Sequence, residues 1–170
     1  MIETKDLILD KANLSDYKKM YENVWCHEES ARYMYWSVTT NEEDAYARME
    51  RTINFQKDHD TYLIYEKQSG EPIGFAGMEL VKEGVCEETG ICLGPKFIHK
   101  GYGKQVLNAL IIRAREVYHA DTLLYSAREN NIASRNLASS MGFEQYSEEM
   151  KEDPRDSSVY KMLHFKKKIG

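Results

Sequence analysis

Between Thr89 and Lys104 the chain reads Thr-Gly-Ile-Cys-Leu-Gly-Pro-Lys-Phe-Ile-His-Lys-Gly-Tyr-Gly-Lys. A strand breaks at Gly94-Pro95, the backbone turns through Gly101 and Gly103, and a strongly periodic segment follows directly. The first N–H groups of a helix have no partner inside it, and glycines without a Cβ let a charged ligand come close to them. The turn therefore predicts a seat for a phosphate-bearing ligand where a strand hands over to a helix. Val106, Leu107, Leu110, Ile111, Ala114, Val117 and Tyr118 fall largely on one face of that helix, which implies burial against a sheet.

The flanking pattern supplies the sheet. Leu7-Ile-Leu9 predicts a short first strand, and Asn13 or Ser15 caps a helix carrying Tyr17, Met20 and Tyr21. The aromatic stretch from Trp25 to Trp36 has no clean period. Thr40 with Glu43 has capping-box spacing, and Ala45, Met49, Ile53 and Phe55 suit a second helix of roughly four turns. From Tyr62 the pattern turns β-rich. Tyr62–Tyr65, a turn at Gln68–Pro72, and Ile73–Val81 make an antiparallel hairpin, and a turn near Gly84 leads into the strand that ends at Gly94. Beyond the long helix come a strand at Thr122–Tyr125 and a helix opened by Asn130 or Asn131 and stopped at Gly142. An extended segment from Phe143 and a last strand, Ser158–Phe165, complete the chain.

At 170 residues this is a single domain, 1–170, with room for a sizeable core. A net charge of -5, from 23 basic and 28 acidic residues, argues against a general nucleic-acid or membrane-surface binder. Cys26, Cys86 and Cys92 are odd in number and lack metal-ligand spacing, so reduced thiols are expected, with neither a disulfide framework nor a metal site. The acidic N-terminus is unlike a signal peptide and no run approaches membrane-spanning length, which points to a soluble cytoplasmic protein.

Three stretches in order resemble the GNAT superfamily of acetyl-CoA-dependent N-acetyltransferases. Ile98-His-Lys-Gly-Tyr-Gly103 is similar to that family's pyrophosphate loop, and Glu88-Thr-Gly-Ile-Cys-Leu-Gly-Pro95 to the bulged strand that grips the pantetheine. Asn131-Ile-Ala-Ser-Arg-Asn-Leu-Ala-Ser-Ser-Met-Gly-Phe143 is similar to its Asn-x-x-Ala/Ser helix. Tyr33-Met-Tyr-Trp36 and the Thr40 cap look most like the RimJ/RimL branch, which acetylates ribosomal-protein N-termini and has relatives that modify many small amines. The resemblance implies an α/β fold: a mixed, mostly antiparallel, twisted sheet of about seven strands with about four helices, and a V-shaped gap that admits the cofactor. The implied reaction is acetyl transfer from acetyl-CoA to a primary amine, on a protein N-terminus or a small molecule. A homodimer is compatible with it.

Residue by residue, the resemblance places coenzyme A against Ile98, the N–H groups of His99, Lys100, Gly101, Tyr102, Gly103 and Lys104, the main chain of Ile91 and Leu93, and Asn131. It makes the Ile91 N–H the group that polarises the acetyl carbonyl. Ser134 matches a serine near the thiolate, and Glu87 or Glu88 matches the base. Odd–even alternation sends these carboxylates to opposite faces, with Glu87 sharing the parity of Ile91 and Glu88 fitting the branch's local pattern. Two departures matter. Ile98 stands where the family usually has Arg or Gln, which implies a weakened phosphate grip. Ala138 replaces a tyrosine that in many members protonates the leaving thiolate. Both favour a rival reading, a weak or inactive acyl-CoA-binding sensor. Tyr102, Tyr125 and Tyr160 are alternative proton donors.

Glu28 and Glu29 with Tyr33, Tyr35 and Trp36 combine carboxylates and rings, as a site for a cationic amine requires, and the family places its acceptor against the first two helices. Cys92 lacks a neighbour at strand spacing that would make it a thiolate, and the histidines show no triad or ligand spacing. A dinucleotide-binding oxidoreductase is disfavoured, because the third fingerprint glycine is missing and the preceding hairpin is antiparallel.

Overall fold

In the computed structural model, which describes residues 1–170, eight strands form one mixed sheet in the order β1-β2-β3-β4-β5-β6-β8-β7. They are β1 (Ile2–Glu3), β2 (Leu7–Asp10), β3 (Asp60–Glu66), β4 (Pro72–Lys82), β5 (Val85–Leu93), β6 (Thr122–Arg128), β7 (Glu144–Glu152) and β8 (Val159–Lys168). Five α-helices flank them: α1 (Tyr17–Met20), α2 (Glu28–Ala31), α3 (Glu42–Gln56), α4 (Tyr102–Tyr118) and α5 (Ile132–Ser140). The surplus over the expected count is β1, too short to show alternation, and α2, one turn hidden in the aromatic stretch.

Every strand pair is antiparallel except β5 and β6, which run parallel with α4 as their crossover. Their pairing lasts only from Val85↔Thr122 to Glu87↔Leu124. Beyond it the strands part and the sheet opens. The parting coincides with a bulge: Gly77 faces Gly90 and Met78 faces Glu88, which leaves Thr89 without a partner. An extra residue bends its strand, and Gly90 absorbs the bend at φ 152. The bulge also corrects the parity expectation. Ala76 and Met78 share a face, so their partners Ile91 and Glu88 share it too; the inserted Thr89 puts Glu87, not Glu88, on the other side.

Apolar residues split between the two faces. Leu107, Leu110 and Val106 of α4 pack with Ile64, Ile73 and Leu123 on one face, and Met20, Val24, Trp25 and Met49 pack with Leu63 on the other. Each fully buried side chain of this size contributes roughly 1.5–3 kcal/mol. The stripe on α4 stops a turn earlier than predicted, with Val117 exposed just before the left-handed His119 ends the helix. The cap of α3 is Asn41, whose Oδ1 accepts the Asp44 N–H at 2.8 Å, one residue past the expected Thr40. Asn13 makes no side-chain cap; the first helical segment is anchored instead by the Asp16 N–H on the Asn13 carbonyl at 3.0 Å and by Tyr65 Oη donating to Asp16 Oδ2 at 2.7 Å. No helix is long and apolar enough to cross a membrane.

Candidate active site

A cleft of about 810 Å³ lies along the opening between β5 and β6, roofed by the start of α4 and by α5. One end is the glycine turn. His99 (φ 63) and Gly101 (φ 78) are both left-handed, and none of the N–H groups from His99 to Lys104 has an acceptor within the protein. His99, Gly101, Tyr102, Gly103 and Lys104 line the cleft. A run of orphan donors at a helix N-terminus fits a diphosphate, because each charge-assisted bond there is worth roughly 1.5–3 kcal/mol. The two glycines differ: Gly101 has open space around it and supplies the left-handed backbone angle, whereas a Cβ on Gly103 would only touch Leu137 of α5 at an ordinary 3.4 Å.

Glu66 fixes this turn, and nothing in the sequence singles it out. At the buried end of β3 its carboxylate accepts from Tyr102 Oη at 2.7 Å and Ser69 Oγ at 2.8 Å, with Lys100 Nζ 3.5 Å away. Burial opposes the charge, but these three partners hold the Glu66 carboxyl below its ordinary range. The Lys100 side chain is thus directed to Glu66 and does not line the cleft, unlike Lys104. Ile98 lines the cleft from an exposed position.

At the other end the gap exposes main chain. Gly94 N–H donates to Ile73 O at 2.8 Å, so by alternation the polar groups of Cys92 also turn to β4 and those of Ile91 and Leu93 face the opening. Glu88, only 9 % exposed, lines the cleft just before the bulge. Burial pushes its carboxyl up to about 8, against a pull from the Gly90 N–H and with a small push from Glu87. Glu87 lines the cleft on the opposite face and is raised by burial and by Glu79 across the ladder. Asn131 Oδ1 caps α5 by accepting the Ser134 N–H at 3.2 Å, and Ser134 Oγ lies 2.6 Å from Tyr125 Oη on β6. Burial and then the Glu88 charge hold the Tyr125 phenol protonated well above its ordinary value. Tyr125 packs edge-on to Phe165 and near Phe143, so this hydroxyl is held in place. Ala138 is fully buried and offers nothing to the cleft.

Tyr33, Tyr35 and Trp36 form the remaining wall. Their segment has no regular structure and is clamped from the β7–β8 connection by Arg155, which donates to the carbonyls of Ala31 and Trp36, each at 2.9 Å, and of Arg32 at 3.3 Å. Buried Asp153 holds both Arg155 and Arg128. Arg128 lies 3.8 Å from the Tyr160 ring, and the Tyr160 hydroxyl pairs with that of Tyr35. This brace joins residues far apart in sequence, so no local pattern announces it. Glu28 and Glu29 are exposed in the first turn of α2 and line neither this cleft nor a second cavity of about 890 Å³ between α3 and the β3–β4 face. Cys92 is buried with its thiol pushed up to about 12, which leaves no thiolate for covalent chemistry at neutral pH.

Solved structures share this architecture. A GNAT-family acetyltransferase from Bacillus anthracis superposes with a TM-score of 0.83 at 15% identity, over 99% of this chain and 98% of that one. Microcin C7 self immunity acetyltransferase MccE, in complex with acetyl-CoA and AMP, gives 0.82 at 17% identity over 97% and 93%. A putative ribosomal-protein-serine acetyltransferase from Vibrio cholerae gives 0.78 at 18% over 98% and 96%. At such identities the likeness speaks for the fold. No curated protein matches the chain in sequence. The family model for the acetyltransferase (GNAT) domain matches residues 6–144, most of the chain and every element of the cleft except β8. The chain therefore belongs to the GNAT acetyltransferase family and is an acetyl-CoA-dependent acyltransferase.

Proposed function

We propose that the acceptor is a primary amine, with an α-amine or another amine of low pKa favoured, and that Glu88, Ser134 and Tyr125 carry the proton traffic. The observation that supports this most is a continuous cleft with orphan N–H groups at one end and a buried, raised carboxyl beside a hydroxyl pair at the other. The amine nitrogen bonds to the thioester carbon as the C–S bond breaks; the amine gives up one proton and the CoA sulfur gains one. A carboxyl at about 8 exchanges protons almost evenly with an α-amine of 7.7–8.0, whereas a lysine near 10.4 would hold its proton too tightly. Glu88 is assigned as the base, with Glu87 passing the proton towards solvent. Ser134 Oγ, backed by Tyr125, is assigned as the donor to the leaving sulfur, in place of the tyrosine that Ala138 lacks. The N–H of Ile91 would steady the carbonyl oxygen. His99 to Lys104 and Asn131 would hold coenzyme A, with Ile98 and Leu93 alongside, and Tyr33, Tyr35 and Trp36 would face the acceptor.

The RimJ/RimL-like reading, with a protein N-terminus as acceptor, draws its support from the aromatic segment and from this proton balance. The test is CoA release with acetyl-CoA and a panel of amines and short peptides. Turnover that depends on the acceptor and falls in Glu88→Gln and Ser134→Ala supports the assignment. Tight acetyl-CoA binding without any acceptor-dependent turnover would replace it with the sensor reading.

A further inference from the structure

The second cavity meets the cofactor cleft at Trp36, Phe75, Thr89 and Gly90, the bulge and the two rings above it. Its charged wall comes from α3. The Arg48 guanidinium is clamped between the rings of Trp25, 4.7 Å away, and Trp36, 4.3 Å away. Its one hydrogen bond runs from Nη1 to Thr39 Oγ1 at 3.2 Å, and neither it nor Arg51, which lines the same cavity, has an ion pair. The only carboxylate on this wall, Asp44, is occupied: its Oδ2 accepts from the Asn41 amide at 2.9 Å. Burial, with Arg51 nearby, pulls Arg48 down to about 10 despite the Cys92 sulfur. Trp36 Nε1 and Thr61 Oγ1, in the same wall, are buried with no partner. A Cβ on Gly77 would fall 2.5 Å from Thr61 and 2.7 Å from Thr89, so a glycine keeps the floor clear.

Arg48 is part-buried, and a cation held between rings without a counter-charge loses hydration that an anionic ligand would offset. The guanidinium fork matches carboxylate and phosphate oxygens. The volume lies in the range of small-molecule sites. We propose that this cavity is the acceptor site and that the acceptor is a small amine bearing a carboxylate or phosphate. Arg48 and Arg51 hold the anion, and the amino group lies over Trp36 towards the bulge. The inference rests on the acetyl-transfer reading for its amine and replaces the expected carboxylate wall of Glu28 and Glu29 with a cationic one.

Binding and turnover test it separately. Trp25 and Trp36, the chain's two tryptophans, flank Arg48 and report occupancy by fluorescence. Without acetyl-CoA, glycylglycine is titrated beside glycinamide and O-phosphoethanolamine beside ethanolamine, pairs in which the anion is added to an amine of similar basicity. Saturable quenching by an anionic probe, at least about tenfold weaker in Arg48→Gln and weakened in Arg51→Gln, is expected, with acetyl-CoA affinity by calorimetry retained. The carboxylate and phosphate arms show which anion is taken. With acetyl-CoA present, the anionic member of each pair should exceed its neutral partner at least about tenfold in kcat/KM. Quenching that disappears with Arg48→Gln, but no turnover with any amine, keeps the anion site and removes the acetyl-transfer reading. Equal response to neutral and anionic probes, or no effect of either substitution, overturns the proposal. Should Arg48→Gln fail to fold, Arg51→Gln, at an exposed position, decides.

Discussion

Replacing Glu88 by glutamine keeps the shape of the side chain and removes its charge. In the folded chain this carboxyl titrates at about 8 against an ordinary 4.5, so the fold binds the proton more tightly than the unfolded chain does. The associated stability is complete below about pH 4.5 and is lost as pH rises to about 8. At 1.36 kcal/mol per pH unit the wild type loses up to about 5 kcal/mol across that interval, a loss Glu88→Gln cannot suffer. Urea unfolding at about pH 5, 7 and 9 should therefore show the variant gaining on the wild type at each step. Activity should move the other way. With an acceptor that titrates well below this range, wild-type kcat/KM should rise through about 8, and Glu88→Gln should lie roughly 10²–10⁴-fold lower at alkaline pH with that rise gone. A stability difference that is the same at pH 5 and 9 would refute the buried carboxyl, and unchanged alkaline kcat would refute its role as base.

Gly101→Ala places a Cβ at φ 78, a strain of about 1–2 kcal/mol on the turn, and acetyl-CoA affinity measured by calorimetry should fall about tenfold or more while far-UV dichroism stays the same. Ser134→Ala with Tyr125→Phe should lower kcat roughly 10²-fold and leave acetyl-CoA affinity intact, each single change costing less because the other hydroxyl remains 2.6 Å from the vacated position. Asp153→Asn loosens both Arg128 and Arg155, and through Arg155 the segment that ends at Trp36. Acceptor KM should rise with acetyl-CoA affinity unchanged, and a melting scan should show a lower Tm.

The glycine turn, the meander before it and the helix after it were legible because each rests on a local cue: glycine spacing, turn residues and a helical period. The Asn131 cap was legible as one of two neighbours for the same reason. What escaped was non-local. One unmatched residue, Thr89, reverses the parity of two carboxylates and depends on a register set by β4. Glu66 reaches the turn from 36 positions away, and Arg155 reaches the aromatic segment from a connection more than a hundred positions later. Glu28 and Glu29 looked like a site because they sit among rings in sequence, yet the single turn of α2 points them to solvent. Arg48 and Arg51 looked like ordinary charges on a helix and acquire meaning only when Trp25 and Trp36 close around them.

Amide hydrogen exchange with and without coenzyme A tests the account at its root. In the free protein the N–H groups from His99 to Lys104 have no acceptor and should exchange fast; saturating ligand should slow them selectively, together with Ile91 and Leu93 at the gap. Protection that appears elsewhere while this turn keeps exchanging as in the free protein would contradict the assignment of the cleft.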